Sequence, residues 1–239
     1  MENFKNEKIL VVIPARGGSK RIPKKNIKPI CGIPMIYWPL NELTKIFSLD
    51  QILVSTDDED IIKSIELYGL KTEYRRPAEL ADDFTGTTAV AYHAFKWFEQ
   101  NKTNVDYVLI VYPTAVLLSQ KDILNAFITL KSDEMCHSVF TATTFSFPIQ
   151  RAIYINNYGF VEMFEPENYL RRSQDFQEAF HDAGQFYFCK SSYLRSGYNP
   201  FGGNSKILKL SRSRVVDIDT PEDFEVAENL LKIKSLNDT

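Results

Sequence analysis

The amino-acid sequence predicts an α/β protein in which a mostly parallel sheet lies between two layers of helices. Short apolar runs alternate along the chain with longer helical patterns, as in successive β-α-β units. The first run, "KILVVIP" at 8–14, is apolar after its first residue, which is typical of a strand covered on both faces. Because open sheets of this kind bind ligands at the carboxyl ends of their strands, we expect functional residues to follow those strands.

Strands and helices alternate through the first part of the chain. We expect strands at 51–56, 106–113 and 137–143, and helices at 34–46, 56–70, 87–100 and 121–130. The first helix should bend at Pro39, because proline removes a hydrogen bond from a helix interior. Thr56 and Glu59 have the spacing of a capping box, and Gly69 suits the end of the same helix. Ser119 is expected to cap the last of these helices.

The alternation is interrupted at residues 144–183. The stretch "IYINNYGFVEMF" predicts a hairpin, and the stretch after it is polar and aromatic with weak periodicity. We interpret 144–183 as an inserted arm or lid within a single domain of residues 1–239. The parallel pattern is expected to resume with strands at 185–190, 206–210 and 215–218, followed by a helix from Pro221.

The composition indicates a small anionic ligand rather than a polymer. The chain has 239 residues, a net charge of −3 and a pI near 5.7, whereas nucleic-acid-binding domains are usually basic overall. The three cysteines are widely spaced, which favours free thiols in a reducing compartment. There is no signal-like apolar region, and no run reaches the roughly 20 residues of a membrane helix. We therefore expect a cytoplasmic protein with no nucleic-acid or membrane partner.

A strongly basic loop follows the first predicted strand. The segment "ARGGSKRIPKKN" at 15–26 combines two adjacent glycines with Arg16, Lys20 and Lys25. Backbone N–H groups of such a loop can turn toward an anion, and the cations can neutralise it. The spacings of the P-loop and of the dinucleotide motif are both absent. A solvated surface run is the alternative for any charge cluster, but the position after a strand favours an anion site.

The longer segment "IPARGGSKRIPKKNI" resembles the N-terminal signature of the cytidylyltransferases that activate nine-carbon acidic sugars, a family that includes CMP-sialic acid synthetases. The resemblance implies a Rossmann-like three-layer nucleotidyltransferase fold with a small inserted dimerisation or lid region. It implies that CTP donates a cytidylyl group, that pyrophosphate leaves, and that Arg16, Lys20 and Lys25 act catalytically on the phosphates. The CTP contacts that it implies in this segment are Ala15, Arg16, Gly17, Ser19, Lys20, Lys25 and Asn26.

Two further segments extend the resemblance to the nucleotide site. "RRPAELADDFTGTT" at 75–88 is similar to the family's cytidine loop and implies CTP contacts from Arg76, Thr87 and Thr88. Without the resemblance, this stretch is a turn-rich surface loop before a helix. "YPTAVLL" carries Tyr112, another implied CTP contact, where sialic acid synthetases usually have glutamine. Tyr112 matches instead the branch that acts on pseudaminic acid, a nine-carbon sugar of some bacterial flagella and surfaces.

The segments "FPIQRA" and "HDAGQFY" also resemble the pseudaminic acid branch, and they imply a sugar site. The implied contacts are Gln150, Arg151, His181, Asp182 and Gln185. Arg151 is the first candidate for the sugar carboxylate, because a guanidinium binds a carboxylate with two hydrogen bonds. An ordinary surface arginine is the alternative. His181 titrates in a useful range, but we interpret it as a substrate contact or a structural histidine rather than a general base.

A pair of aspartates near the end of the sequence is the third candidate feature. In "RVVDIDTPEDF", Asp217 and Asp219 are two residues apart on a predicted strand, so that both side chains leave the same face. Neighbouring carboxylates repel each other unless a cation lies between them, and Mg²⁺ accepts carboxylate and phosphate oxygens. The alternative is that Asp219 and Asp223 only stabilise the next helix start. We interpret Asp217 and Asp219 as an Mg²⁺ site, with Asp219 also catalytic.

These observations together predict a Mg²⁺-dependent enzyme that joins CMP to pseudaminic acid. Synthesis of CMP-sialic or CMP-legionaminic acid is the alternative within the family, and a catalytically silent nucleotide-binding protein is the alternative outside it. The expected partners are CTP, the acidic sugar and a second copy of the chain. The resemblance implies a homodimer formed through residues 144–183, and the aromatic character of that stretch agrees with it.

Overall fold

A six-stranded sheet forms the centre of the computed structural model, which describes residue 4 and residues 7–71 and 73–237. The strands are β1 (Ile9–Pro14), β2 (Pro29–Ile30), β3 (Ile33–Pro34), β4 (Ile52–Ser55), β5 (Tyr107–Val111), β6 (Ser138–Thr144), β7 (Ile153–Ile155), β8 (Val161–Met163), β9 (Phe180–Lys190) and β10 (Ser205–Lys209). The central sheet has the order β10-β6-β9-β5-β1-β4, while β2 with β3 and β7 with β8 form small hairpins. β1 is parallel to β4 and β5, and β10 is parallel to β6, which confirms a mostly parallel sheet.

Helices cover both faces of this sheet, as predicted. They are α1 (Tyr37–Leu43), α2 (Glu59–Tyr68), α3 (Thr87–Asn101), α4 (Gln120–Ser132), α5 (Ser191–Arg195) and α6 (Pro221–Asn237). Successive side chains of β1 point to opposite faces. Ile9, Val11 and Ile13 pack into a core with α1, α2 and α4, whereas Leu10 and Val12 pack into a second core with α3 and α5. In the described part of the chain, no helix is long and apolar enough to cross a membrane.

A third apolar cluster attaches α6 to the loop after β1. Ala227 and Leu231 of α6 are buried in this cluster together with Ile22 of the loop and Ile30 of β2. Ile218, just before α6, is 0% exposed in the same cluster. Apolar packing therefore brings the last part of the chain against the basic segment near its beginning.

The starts of α1 and α2 differ from the sequence-based expectation. Pro39 lies in the first turn of α1, where the missing N–H removes no intrahelical bond, so the physical reason for the predicted bend does not apply. α2 is capped by Asp58, whose carboxylate accepts hydrogen bonds from two N–H groups of the first turn. The capping box predicted from Thr56 and Glu59 is therefore wrong, because a better placed acceptor precedes the helix. Ser119 caps α4 as predicted.

Two strand predictions in the second half of the chain are wrong. β9 begins five residues earlier than expected, at Phe180, and runs antiparallel to both β5 and β6. The chain leaves β6 and enters β9 at the same end of these two neighbouring strands, so that Thr144 pairs with Phe180. Residues 215–218 pair with no described strand. They belong to an irregular stretch, residues 215–219, that we call the acidic segment.

Residues 145–179 leave the sheet between β6 and β9, and we call them the arm. The predicted hairpin is present as β7 and β8, and its turn is closed by Asn156, whose side chain accepts hydrogen bonds from the N–H groups of Tyr158 and Phe160. Exposed apolar side chains are frequent in the arm. They include Phe147, Ile149, Ile153, Ile155, Tyr158, Phe160, Val161, Phe164, Tyr169 and Leu170. A single domain at 1–239 with an insertion at 144–183 stays a prediction.

Candidate active site

A cleft of about 470 Å³ opens beyond the carboxyl ends of β1 and β5, which is where an open α/β sheet places ligands. Its walls come from the loop after β1, the stretch before α3, the residues after β5 and the acidic segment. The predicted site residues that line it are Arg16, Ser19, Lys20, Lys25, Asn26, Arg76, Thr87, Tyr112 and Asp219. Residues from four separate parts of the sequence therefore share one cleft.

The basic loop, residues 15–28, is closed by its own polar contacts. Asn26 is only 5% exposed, and its side-chain amide donates a hydrogen bond to the carbonyl oxygen of Arg16 at 2.8 Å. A Cβ atom at Gly17 would lie 2.3 Å from Oδ2 of Asp58, so the loop can approach the start of α2 only with glycine here. Asn26 and Gly17 thus both help to shape the loop.

The basic loop meets the acidic segment through Lys25 and Arg21. Lys25 Nζ donates to the carbonyl oxygen of Ile218 at 2.6 Å and lies 3.1 Å from Oδ1 of Asp219. Arg21 Nη2 lies 2.7 Å from the other carboxylate oxygen of Asp219. Burial acts to raise the pKa of Asp219, but Lys25 and Arg21 hold that pKa below its usual range. Opposite charges from the two ends of the chain therefore converge.

Asp217 lies beside Asp219 at a smaller hollow of about 260 Å³ that adjoins the cleft. The hollow is lined by Lys25, Tyr112, Thr114, Asp182, Gly184, Asp217 and Asp219. Solvent reaches Asp217, yet the protein atoms around its carboxylate raise its pKa, and the charges of Asp219 and Asp182 raise it further. Unlike Asp219, Asp217 has no ion pair with any described residue.

The pair of Asp217 and Asp219 fits a divalent cation, although no strand holds the two residues as predicted. Among the described residues, no group of three or more His, Cys, Asp and Glu side chains is arranged to hold a metal ion. Magnesium, however, uses one or two carboxylates and completes its shell with phosphate oxygens and water. The crowding of negative charge at Asp217 is what such an ion would relieve.

Arg76 and Tyr112 form a buried polar wall of the cleft. Arg76 is 6% exposed, and its guanidinium donates to the carbonyl oxygen of Ser55 at 2.6 Å and to its hydroxyl at 3.2 Å. Burial lowers the pKa of Arg76, and no described carboxylate forms an ion pair with it, so an anion would be favoured there. The hydroxyl of Tyr112 is hydrogen-bonded to Thr87 Oγ1 at 3.1 Å, and burial raises the pKa of Tyr112.

An acidic turn closes the outer side of the cleft. Arg16 Nη1 lies 2.7 Å from Oδ1 of Asp83, and Lys20 Nζ lies 2.5 Å from Oδ2 of the same residue. Arg16 also donates to the carbonyl oxygen of Asp82 at 2.8 Å. Two predicted phosphate contacts are therefore already paired with a carboxylate of their own chain.

The predicted sugar contacts do not meet in one cavity. Asp182 lines the small hollow, but its carboxylate accepts hydrogen bonds from the N–H of Gly184 and the hydroxyl of Tyr187. Gln185 is 3% exposed and donates to the carbonyl oxygen of Arg214 at 2.7 Å. Both residues therefore have structural partners beside any role with a substrate.

The other three predicted sugar contacts lie farther from the cleft. His181 is exposed, and its ring packs edge-on against Phe145 with centroids 4.9 Å apart. Gln150 lines a separate hollow of about 340 Å³ at the base of the arm. Arg151 is exposed and forms no ion pair with a described residue. Contact of His181, Gln150 and Arg151 with a sugar stays a prediction.

Sequence reasoning and structure differ at the edges of the cleft. The lining residues that the sequence did not single out include Arg21, Asp83 and Thr114. Arg21 could have been found from its place among the loop cations, but the pairing of Asp83 depends on a contact across the fold. The predicted CTP contacts that do not line the cleft are Ala15, Gly17 and Thr88. Their role with CTP also stays a prediction.

Comparison with known proteins places the chain in a family. The family model described as cytidylyltransferase matches residues 10–235. The chain belongs to the cytidylyltransferase family. This cytidylyltransferase is 40% identical over 226 residues to the pseudaminic acid cytidylyltransferase of Campylobacter jejuni. The aligned residues cover 95% of this chain and 97% of that protein. It is 28% identical over 234 residues to CMP-N,N'-diacetyllegionaminic acid synthase of the same species, over 96% of this chain and 97% of that protein.

A solved structure shows that the fold is shared. The structure of CMP:2-keto-3-deoxy-manno-octonic acid synthetase complexed with CTP matches this cytidylyltransferase with a TM-score of 0.69 at 17% identity. The match covers 95% of this chain and 99% of that chain. The predicted Rossmann-like nucleotidyltransferase fold is therefore confirmed, and the family assignment confirms the predicted class of enzyme.

Proposed function

We propose that this cytidylyltransferase transfers CMP from CTP to pseudaminic acid and releases pyrophosphate. The observation that carries the proposal is the meeting of Lys25 with Asp219 in one cleft, because nucleotidyl transfer needs cations for the phosphates and carboxylates for a metal. The 40% identity to a pseudaminic acid cytidylyltransferase supports this sugar. Tyr112, which follows β5 and resembles that branch of the family, supports the same choice.

The reaction is a displacement at the α-phosphorus of CTP. The anomeric hydroxyl oxygen of the sugar forms the new bond to this phosphorus, and its proton leaves to solvent. The bond from the α-phosphorus to the bridging oxygen breaks, and pyrophosphate departs with the electron pair. Arg16 and Lys20 stabilise the charge on pyrophosphate, and Lys25 stabilises the α-phosphate. The protein therefore acts mainly by positioning the reactants and by fixed positive charge.

The buried wall of Arg76, Thr87 and Tyr112 is proposed for the nucleoside end of CTP. Their polar groups already have hydrogen bonds that hold them in place, so little ordering is needed when the ligand binds. Asn26 contributes by keeping the basic loop closed. Ser19, another proposed phosphate contact, also lines the cleft.

Asp217 and Asp219 are proposed to hold Mg²⁺. When bound, the ion would supply positive charge beside the reacting phosphate. Lys25 and Arg21 now pair with Asp219, and we expect both cations to turn toward the phosphates in the loaded site. The protein's own contribution is to keep the two carboxylates next to the cleft, where Lys25 and Arg21 limit their mutual repulsion.

Two further features are proposed. The arm is proposed to join two copies of the chain, because large exposed apolar patches mark interaction sites. In the arm, Tyr158 and Phe160, for example, are 85% and 70% exposed.

A cytoplasmic location is also proposed. Cys31, Cys136 and Cys189 are free thiols, as is usual in a reducing compartment.

Pyrophosphate release tests the proposed function. The purified protein is given CTP, Mg²⁺ and one sugar at a time: pseudaminic, legionaminic or sialic acid. Pseudaminic acid should be used with about 10- to 200-fold higher kcat/KM than the other two, since pocket contacts discriminate by factors of this order. Faster release with legionaminic or sialic acid would assign a different sugar. CTP binding without release from any sugar would identify a silent nucleotide-binding protein.

A further inference from the structure

Asp83 pairs with the two cations of the basic loop that are proposed to hold the outer phosphates. Its two carboxylate oxygens separately contact Arg16, at 2.7 Å, and Lys20, at 2.5 Å. All three residues line the same cleft. Hydrogen bonds from Lys20 and then Arg16 hold the pKa of Asp83 below its usual range, so the residue is an anion at neutral pH. A carboxylate bridging two cations mimics the bridging that a phosphate group would provide.

The turn that carries Asp83 is attached to the basic loop by polar contacts. The Asp82 side chain accepts hydrogen bonds from the N–H groups of Phe84, at 3.0 Å, and Thr85, at 2.6 Å, which keeps the turn compact. The side chain of Phe84, next to Asp83, is 94% exposed and supplies no apolar anchor. Movement of this turn away from the cleft would therefore break ion pairs without opening a hydrophobic core.

The other cations of the cleft have different partners. Lys25 and Arg21 are held by Asp219, which is the proposed metal ligand. Arg76 has no ion pair with a described residue. Asp83 alone among these acidic partners belongs to a turn outside the acidic segment, so its role is separable from the metal site.

We propose that Asp83 is an internal competitor for polyphosphate: it pairs with Arg16 and Lys20 until CTP displaces it, and it returns as pyrophosphate leaves. The proposal rests on the proposed function in one respect, namely that the outer phosphates bind at these two cations. A phosphate that takes the place of Asp83 must compete with its carboxylate for both cations. Asp83 therefore weakens the binding of CTP and pyrophosphate together, and it prevents the product from remaining on the loop.

Substitution of Asp83 measures this competition. The Arg16, Lys20 and Asp83 side chains are 37%, 82% and 35% exposed, so water and salt weaken each pair. Asp83→Asn should tighten pyrophosphate binding by about 3- to 10-fold, the range expected for two such charge pairs. Asp83→Ala, which also lacks the hydrogen-bonding group, should tighten it at least as much.

Isothermal titration with pyrophosphate, without sugar or added metal, gives the direct test. The matched control is Asp60→Asn, because Asp60 pairs with Lys24 of the same basic loop but neither residue lines the cleft. The control removes the same charge and should leave pyrophosphate affinity unchanged. CMP, which has no outer phosphates, should bind all variants within about twofold of the wild type, since longer-range charge effects are screened.

Repeating the Asp83→Asn substitution in the Lys20→Ala variant tests whether Asp83 competes with pyrophosphate for Lys20. In Lys20→Ala, one partner of Asp83 is gone, so adding Asp83→Asn should tighten pyrophosphate binding less than it does in the wild type. Equal tightening in both backgrounds would overturn the proposal. So would unchanged or weaker pyrophosphate binding in Asp83→Asn, or equal tightening in the Asp60→Asn control.

The result also separates this proposal from the proposed function. If the wild-type protein turns over CTP and sugar but Asp83→Asn leaves pyrophosphate affinity unchanged, the proposal for Asp83 is overturned and the proposed function stands. Tighter pyrophosphate binding in Asp83→Asn, together with no turnover on any sugar, would support the competitor and reject the function.

Discussion

The cleft and the arm differ in where their side chains find partners. In the cleft, charges pair across the fold: Lys25 with Asp219, and Arg16 with Asp83. In the arm, the aromatic side chains of Tyr158 and Phe160 extend into water. Charged side chains tolerate water, whereas a large apolar surface in water is unfavourable. One chain therefore supplies both partners of the charge pairs in its cleft, whereas no described residue covers the exposed apolar side chains of the arm.

Loss of one cleft carboxylate should have the largest effect. Asp219→Asn should lower turnover by about 10²- to 10³-fold at saturating Mg²⁺, the range for removing one preorganised charge from an active site. Pyrophosphate release measures the effect, and circular dichroism should show an intact fold. Glu222→Gln, an exposed change in the first turn of α6, is the control and should retain full turnover. Near-native turnover of Asp219→Asn would separate this residue from catalysis.

Removal of apolar surface from the arm should have the next largest effect. The double substitution of Tyr158→Ser and Phe160→Ser should raise the Kd of the proposed dimer by about 10- to 100-fold, as for aromatic residues central to an interface. Sedimentation velocity over a micromolar concentration range measures it. Leu67→Ser on α2 is the control, because Leu67 is 86% exposed but lies outside the arm. A wild-type protein that sediments as a monomer throughout would refute the proposed dimer.

Removal of one loop cation should have a moderate effect. Lys20→Ala should raise the KM for CTP by about 3- to 10-fold, because a phosphate contact is lost. The rise is moderate because Asp83 loses a partner as well and competes less with CTP. Steady-state kinetics at saturating sugar measures the change. Lys24→Ala is the control, since Lys24 pairs with Asp60 outside the cleft lining. An unchanged KM for CTP in Lys20→Ala would remove this cation from the phosphate site.

The smallest effect should appear in stability rather than turnover. The folded protein raises the pKa of Asp217, so ionised Asp217 opposes folding at neutral pH, and this penalty disappears as pH falls below the ordinary value of 3.8. Asp217→Asn should therefore raise the melting temperature by about 1–3 °C at pH 7, and the gain should shrink toward pH 4. The change is small because solvent reaches the carboxylate. A lower melting temperature at pH 7 would contradict the prediction.

Local signals in the sequence were sufficient for much of the fold. The uniformly apolar run of β1 predicted a strand covered on both faces, and Ser119 marked the start of α4. These features depend on neighbouring residues alone. The direction of β9 could not be predicted, because a strand buried on both faces has the same pattern in either direction. The sequence predicted a strand at 215–218, but these residues pair with no strand in the described part of the chain.

The candidate site could be predicted only by residue type and approximate place. The glycines and cations of the basic loop, together with the aspartate pair, were visible as clusters at the carboxyl ends of predicted strands. The partners were not visible, since Arg16 meets Asp83 and Lys25 meets Ile218 through contacts between distant segments. The sugar contacts were the least predictable, because Gln150, in the arm, lies in a separate hollow from Asp182.

The hydrogen bond from Lys25 to Ile218 joins residues 193 positions apart. A chain growing on the ribosome can complete β1 and the basic loop early, but it has no finished cleft until the acidic segment emerges. Contacts of such long sequence separation form late and slowly. An incomplete nascent chain therefore exposes Lys25 without the carbonyl oxygen of Ile218 and the carboxylate of Asp219 that hold it in the folded protein. The complete cleft can bind a nucleotide only after the acidic segment has emerged.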